Sequence, residues 1–169
     1  HFADIAEIME ELDDHGAAYI FNTLDSEKTA EILLELDDEV REKILRNLSP
    51  KEIAEELDEL STDDAADIIA ELPQHKKEQV ISELEDVEHA KDIVDLLRYD
   101  EDTAGGLMGK ELVKVNVNWN VLTCIKEMRA QAENISRVHS IYVVDDDNRL
   151  KGRLSLKDLL TTSARTPIS

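Results

Sequence analysis

The sequence predicts a mainly α-helical fold followed by a small α/β module. Leucine recurs every twelve residues through the first hundred, and alternating apolar spacing replaces this repeat after residue 107. The charge changes as well, because residues 1–100 hold 31 acidic and 9 basic side chains, whereas residues 101–169 hold 9 and 10. We therefore expect an acidic helical domain at 1–98, a joint at 99–106 and a mixed domain at 107–169.

The first domain is an internal repeat of eight units. Leucine closes each unit at positions 12, 24, 36, 48, 60, 72, 84 and 96, and apolar residues stand three and four positions before most of them. That spacing forms one apolar helix face. A continuous helix turns about 100° per residue and would scatter the leucines over three faces. The units are thus predicted to be separate helices of about nine residues that form a superhelical array, whose hand stays open.

The residue after most of the repeat leucines is suited to begin the next helix. Good N-cap residues follow five of the leucines, namely Asp13, Asp25, Asp37, Ser49 and Ser61, and Pro73 follows another. Two acidic residues, Glu56 and Asp92, replace the apolar residue four positions before the leucine. We expect both of them where the array curves into solvent.

The second domain has the pattern strand, helix, strand, strand, helix. Val113, Val115 and Val117 alternate as a strand, and Val121, Leu122, Ile125 and Met128 are predicted to share one helix face, with Cys124 packed on that helix. Residues 141–144 form a buried strand, 145–148 a turn and 150–154 the return strand. Ser155 then begins a helix in a capping box, in which Ser155 and Asp158 each bond an otherwise unpaired amide.

Composition excludes several classes of function. A pI near 4.4 and the lack of a basic, aromatic stripe argue against nucleic-acid binding. The longest apolar runs are far shorter than the roughly 20 residues of a membrane span. The chain starts at His1 without a secretory signal, so we expect a piece of a longer protein, and its single cysteine fits a reducing compartment. No nucleophile elbow, phosphate loop or zinc spacing occurs, and an enzyme is not expected.

The order of elements around IYVVDDDNRLKGRLSLKDLL resembles a CBS (cystathionine β-synthase) motif, of which the chain holds one, although such motifs normally work as tandem pairs. The TAGGLM stretch at 103–108 stands between this motif and the acidic twelve-residue repeat. Together these features resemble the cytosolic region of MgtE-type magnesium channels, and the resemblance covers nearly the whole chain.

The resemblance implies a magnesium sensor on the cytoplasmic face of the cell membrane. In that family, Mg²⁺ ions between the acidic helical domain and the CBS pair hold the pore shut when magnesium is plentiful. The family's metal positions fall on Glu31, Asp63 and Asp67, and Gly106 matches a position that offers a backbone carbonyl. The other ligands belong to the second CBS motif and the helix leading to the membrane, which this chain lacks together with the pore. Family members are homodimers.

A nucleotide site is a second implication of the resemblance. Ser155 and Asp158 match the place where CBS modules hold the ribose and phosphates of an adenine nucleotide, with residues 141–144 lining the base. We favour the capping box at this position, because nucleotide clefts normally need the second motif.

Elementary chemistry agrees with magnesium binding. Mg²⁺ keeps much of its water and is usually held by one or two carboxylates, so sites shared between acidic surfaces suit it. Asp63 and Asp67 are four residues apart on one helix face, where like charges cost about 0.2–0.5 kcal/mol that a bound cation would reverse. Acidic pairs at this spacing are common in the first domain, and Mn²⁺, Ca²⁺ and Co²⁺ stay open as competitors. The alternative is a helical-repeat scaffold for protein partners that carries a nucleotide-binding CBS module.

Overall fold

The computed structural model of the chain describes residues 1–100, 102–132, 135 and 140–168, so Glu101 of the predicted joint lies outside the described residues. In this part of the chain the elements are α1 (Phe2–Glu10), α2 (Asp14–Phe21), α3 (Ser26–Glu35), α4 (Asp38–Asn47), α5 (Pro50–Leu57), α6 (Thr62–Glu71), α7 (Gln74–Glu83), α8 (Val87–Leu96), β1 (Val113–Asn116), α9 (Val121–Gln131), β2 (Ile141–Val144), β3 (Leu150–Leu154) and α10 (Leu156–Thr161). The chain divides into two compact units, His1–Lys110 and Glu111–Ser169, and the predicted joint lies in the first. Within the described ranges, no helix is both long and apolar enough to cross a bilayer.

The first unit confirms the predicted array of short helices. Helices α1 to α8 are 8–10 residues long, and α1 packs on α3, α5 on α7 and α6 on α8. The largest fully buried side chains of this unit are Met9, Ile32, Leu33, Ile53, Leu57, Ile69, Val80 and Ile93, and all of them except Ile53 stand three or four positions before a repeat leucine. Burying a side chain of this size contributes about 1.5–3 kcal/mol, which helices this short need from their neighbours.

The five predicted N-cap residues all occupy N-cap positions. The side chains of Asp13, Asp25 and Ser49 accept a hydrogen bond from the backbone three residues later. Ser49 also forms a capping box with Glu52, whose carboxylate accepts from the Ser49 N–H at 2.7 Å. The side chains of Asp37 and Ser61 occupy N-cap positions but form no cap hydrogen bond with their helix backbone. The Asp37 N–H donates to Glu10 Oε1 of α1 at 2.8 Å, and the Ser61 hydroxyl donates to Asp64 Oδ2 at 2.5 Å.

Basic side chains of the first unit bind the carboxyl ends of neighbouring helices. The contacts are Arg41 Nη1 on the carbonyls of Leu33 and Leu36 (3.2 and 2.9 Å), Lys76 Nζ on those of Leu45 and Leu48 (2.6 and 2.8 Å), and Lys77 Nζ on that of Ala70 (2.7 Å). The last carbonyls of a helix lack partners within the helix and carry partial negative charge, so cations stabilise them. Burial lowers the pKa of Lys76.

The expectation that Glu56 faces solvent was wrong. The Glu56 side chain lies between α5 and α3, and the residue is only 9% exposed. Its Oε2 accepts a hydrogen bond from Thr29 Oγ1 at 2.5 Å. Because α3 covers this face of α5, the repeat position is buried whichever residue occupies it, and burial raises the pKa of Glu56. Asp92, the other exception, is half-buried.

The second unit has the predicted order of elements around a three-stranded sheet. Strand β2 lies in the centre, parallel to β1 and antiparallel to β3. Its burial alternates, with Ile141 and Val143 in the core and Tyr142 and Val144 half-buried. The sheet and α9, α10 enclose a small core of Val113, Val115, Val121, Cys124, Ile141, Val143 and Leu159.

One predicted core residue of the second unit was wrong. Leu122 is 62% exposed, whereas Val121 and Cys124 are buried. The helix begins directly after its N-cap Asn120, and Val121, Cys124, Ile125 and Met128 then lie on the inner face at helical spacing. The apolar character of Leu122 made the face look one residue wider than it is.

Candidate cation site in the first unit

An acidic cavity of about 450 Å³ opens beside α6, and we call it the α6 cavity. It is lined by Asp64, Asp67, Ile68 and Glu71 of α6, Asp38 and Arg41 of α4, Leu34, Gly106 and Leu107. Asp64, Asp67 and Glu71 share a helix face because they are three and four residues apart. Helix packing brings the turn that contains Gly106 to the same hollow.

A second hollow of about 360 Å³ shares Asp67 and Gly106 with the α6 cavity. Its lining adds the carboxylates of Asp100 and Asp102 to the ring of Tyr99 and several apolar residues of α6 and α8. Asp67 and Gly106 therefore stand where two acidic hollows meet. This position brings the Asp67 carboxylate and the Gly106 backbone to the same hollows, and carboxylate and carbonyl oxygens are the hard donors that divalent cations such as Mg²⁺ prefer.

One wall of the α6 cavity is an internal ion pair. Arg41 Nε and Nη2 donate to the two carboxylate oxygens of Glu71 at 3.0 and 2.7 Å, and Nη2 also donates to Asp38 Oδ1 at 2.6 Å. The Arg41 side chain is only 12% exposed, and the Glu71 hydrogen bond raises its pKa further. Glu71 thus has an internal cation, and Asp64 accepts a hydrogen bond from the Ser61 hydroxyl.

The turn that holds Gly106 is closed by short-range hydrogen bonds. Thr103 Oγ1 donates to the Asp100 carbonyl at 2.7 Å and accepts from the Gly106 N–H at 3.2 Å, and the Leu107 N–H donates to the Thr103 carbonyl at 3.0 Å. The Gly106 N–H is therefore paired within the turn. The bond of the Leu107 N–H fixes the peptide group that carries the Gly106 carbonyl.

The structure brings together two of the four predicted metal residues. Asp67 and Gly106 line the α6 cavity, whereas the described lining does not include Asp63, which is half-buried on α6, or Glu31, which is half-buried on α3. Among the described residues, no three His, Cys, Asp or Glu side chains form a group suited to a metal ion. The donors fit Mg²⁺ as a partial site, because one or two carboxylates with a carbonyl and retained water suit this ion.

Sequence reasoning missed Asp64, Glu71 and Arg41 as neighbours of Asp67. Asp64 and Glu71 could have been identified from the sequence, since both share the helix face of Asp67. A signal for Arg41 also existed, because it is an isolated base among acidic residues at 37–42. Its pairing with Glu71, thirty residues away in sequence, depends on how α4 packs against α6.

The predicted capping box at α10 is only half correct. Ser155 Oγ accepts from the Asp158 N–H at 3.0 Å, but the Asp158 carboxylate accepts from the Ser155 hydroxyl at 2.6 Å instead of the Ser155 amide. Both side chains are exposed. Of the strand predicted to line a base, Ile141 and Val143 are in the core, and Tyr142 and Val144 are half-buried.

These features define a protein with an acidic α-helical-repeat unit followed by a CBS-type β-α-β-β-α unit. A family model of the MgtE intracellular N domain matches residues 1–102, and a CBS domain model matches residues 104–165. The chain belongs to the MgtE family.

Two curated relatives are magnesium transporters MgtE. The chain is 43% identical over 74 residues to that of Thermus thermophilus and 35% identical over 82 residues to that of Enterococcus faecalis. These matches cover 44% and 48% of this chain but 16% and 18% of the transporters, so the matched segments span less than a fifth of the length of these relatives.

Two solved structures are similar over 99% of this chain. One is the cytosolic domain of the Mg²⁺ channel MgtE in complex with ATP, with a TM-score of 0.89, 34% identity and 68% of that chain covered. The other is the soluble part of a magnesium transporter, with a TM-score of 0.63, 27% identity and 75% covered.

Proposed function

We propose that this chain is a regulatory, Mg²⁺-sensing part of a magnesium channel or transporter, with a binding role and no catalytic one. The observation that carries the proposal is that Asp67 and Gly106 line the same acidic cavity although 39 residues separate them. The resemblance matched both positions to metal ligands. The names of the relatives support the transport class.

The mechanism uses the surplus of carboxylates in the first unit. Asp67, with Asp63 on the same helix and Glu31 on α3, would supply part of the coordination, and Gly106 would supply a carbonyl. The rest would come from the second CBS motif and the pore-linked helix, which lie outside this chain. Mg²⁺ between acidic faces would then hold the pore closed, and repulsion between them would open it when magnesium falls. We place this regulatory part at the cytoplasmic face of the membrane, in a homodimer.

The test is thermal unfolding in MgCl₂ against NaCl of equal ionic strength. At ten times a dissociation constant of about 1 mM, a ligand that binds only the folded state stabilises it by about 1.4 kcal/mol, and we expect a Mg²⁺-specific rise of about 2–5 °C in Tm. Asp63→Asn with Asp67→Asn should blunt that rise. Glu27→Gln with Glu35→Gln, at two exposed positions of α3, is the matched control for the loss of two charges.

Equal responses to the two salts would overturn the sensor for this chain and favour the second candidate, a helical-repeat scaffold for a basic protein partner. The repeat itself supports that candidate, since arrays of short helices present extended binding surfaces. We also propose that an adenine nucleotide binds a complete CBS pair near Ser155 and Asp158. The ATP complex of a similar structure supports this. Isothermal titration of a chain extended through the second motif would test it.

A further inference from the structure

The segment that follows α8, residues 102–110, is fastened to two helices of the first unit, and we call it the strap. Its last residue makes both fastenings. The Lys110 N–H donates to Thr62 Oγ1 at the start of α6 at 3.2 Å, and Lys110 Nζ pairs with Asp95 Oδ2 of α8 at 2.5 Å. Thr62 is 2% exposed and directly precedes Asp63. The strap therefore ends on the helix that carries Asp63 and Asp67.

Packing holds the middle of the strap. A Cβ atom on Gly105 would lie 2.3 Å from Cδ1 of Tyr99, so only glycine allows the backbone to lie this close to the ring. Met108 is half-buried and packs on the hydrophobic core of the first unit. Gly106 lies between these two contacts, and its place beside Asp67 follows from the path of the strap.

The Lys110–Asp95 pair is the polar end of this fastening. The Lys110 side chain is partly shielded, and its hydrogen bond to Asp95 lowers the pKa of that carboxyl. Lys110 therefore ties the end of the strap to α8, as Arg41 of α4 pairs with Glu71, the last residue of α6.

We propose that Lys110 is a positioning residue for cation binding, which acts by closing the strap so that Gly106 lies beside Asp67. This inference rests on the proposed function, because it assigns Lys110 a role at the same site. Lys110 does not touch the cation. It raises the affinity for the cation by keeping the Gly106 carbonyl close to the Asp67 carboxylate. Because the strap is already ordered, binding does not have to order it.

The experiment uses two variants with opposite changes of charge. Lys110→Met makes the unit more negative and Asp95→Asn makes it less negative, yet each breaks the same pair. If charge alone mattered, Lys110→Met would bind Mg²⁺ more tightly and Asp95→Asn more weakly. The positioning role instead predicts that both variants raise the half-saturating Mg²⁺ concentration, by about twofold to fivefold.

Hydrogen exchange of the strap amides provides a readout that is independent of magnesium. Without Mg²⁺, the Gly106 and Leu107 amides should exchange about twofold to fivefold faster in both variants. Lys91→Met is the matched control. It removes the same charge from an exposed pair with Glu88 on α8. This variant should neither speed the exchange of the strap amides nor weaken Mg²⁺ binding.

The outcomes separate the two proposals. Unchanged strap exchange in Lys110→Met and Asp95→Asn would overturn the fastening, and opposite shifts in half-saturation would show that charge and not position decides. A wild-type chain with no Mg²⁺-specific response would overturn the proposed function and the positioning role with it. Faster strap exchange in the variants would still identify the fastening in that case.

Discussion

The two units of this protein use their charged residues in different ways. The first unit, residues 1–110, has 33 acidic and 10 basic side chains, whereas residues 111–169 have 7 and 9. In the first unit Arg41, Lys76 and Lys77 bind helix ends. In the second unit the acidic turn is neutralised locally, with Lys151 on Asp145 at 2.8 Å and Arg149 on Asp147 at 3.1 Å.

This difference shows where an external cation could act. The first unit has 10 bases for 33 acidic side chains, and some of these bases bind helix ends, so its carboxylates far outnumber the cations that could pair with them. Their mutual repulsion lowers the stability of the compact state, and a bound cation relieves it. The second unit has no such surplus. Three substitutions can break or sharpen this contrast.

The largest effect is expected from Arg41→Met, which removes an internal cation of the first unit. The change leaves Glu71 and the carbonyls of Leu33 and Leu36 without their donor. We expect a loss of about 2–4 kcal/mol in the free energy of unfolding, measured by urea denaturation. Arg46→Met is the control on the same helix, since its pair with Glu42 is exposed and should contribute less than about 1 kcal/mol. Equal losses in the two variants would contradict the internal role of Arg41.

A smaller effect is expected from Glu56→Gln, which tests the one buried acidic residue among the described residues of the first unit. Burial raises the pKa of Glu56 in the folded state, and the neighbouring Glu55 and Glu59 raise it further. The folded state then binds more protons than the unfolded chain, so the stability is complete in acid and falls as the pH rises through the folded pKa. The variant stays neutral and should be more stable than wild type at pH 8, by an amount of order 1 kcal/mol, with the gap closing towards pH 4.

Thermal unfolding across this pH range measures that gap. Glu55→Gln, at an exposed position of the same helix, controls for the general loss of negative charge. A gap that does not depend on pH would show that folding does not raise the pKa of Glu56.

The smallest effect is expected in the second unit, from Asp145→Asn. The Lys151 amine and the amides of Arg149 and Asp147 lower the pKa of Asp145. The carboxylate therefore stabilises the folded turn at neutral pH, and this contribution disappears as the pH falls through the lowered pKa. The variant should lower the melting temperature at pH 7, and this effect should shrink as the pH falls below about 4. Asp147→Asn, in the more exposed pair with Arg149, should have a smaller effect, and the reverse order would contradict this account.

The periodic part of the fold could be predicted because its signals are local. A leucine, an N-cap residue and apolar neighbours at helical spacing all lie within one twelve-residue unit, so each helix is specified by its own segment. The strand order of the second unit was similarly readable, since alternating valines and the Asp145–Asn148 turn are local features. Asn148 has a φ of 59°, which asparagine tolerates better than most residues.

The errors occur where neighbouring elements decide the outcome. Glu56 carries the charge of a surface residue, but α3 covers it and Thr29 donates a hydrogen bond to it. Leu122 is as apolar as Val121, but the packing of α9 directs it outward. Asp63 and Asp67 share a helix by sequence, and only the packed structure brings Asp67 to Gly106.

The sequence by itself determined the twelve-residue helical repeat, the acidic surplus of the first unit and the order of elements in the second, because these depend on residue type and spacing. The tertiary structure alone decided which charges meet. Arg41 pairs with Glu71, Lys110 with Asp95, and Gly106 lies beside Asp67 because packed helices bring together residues far apart in the chain.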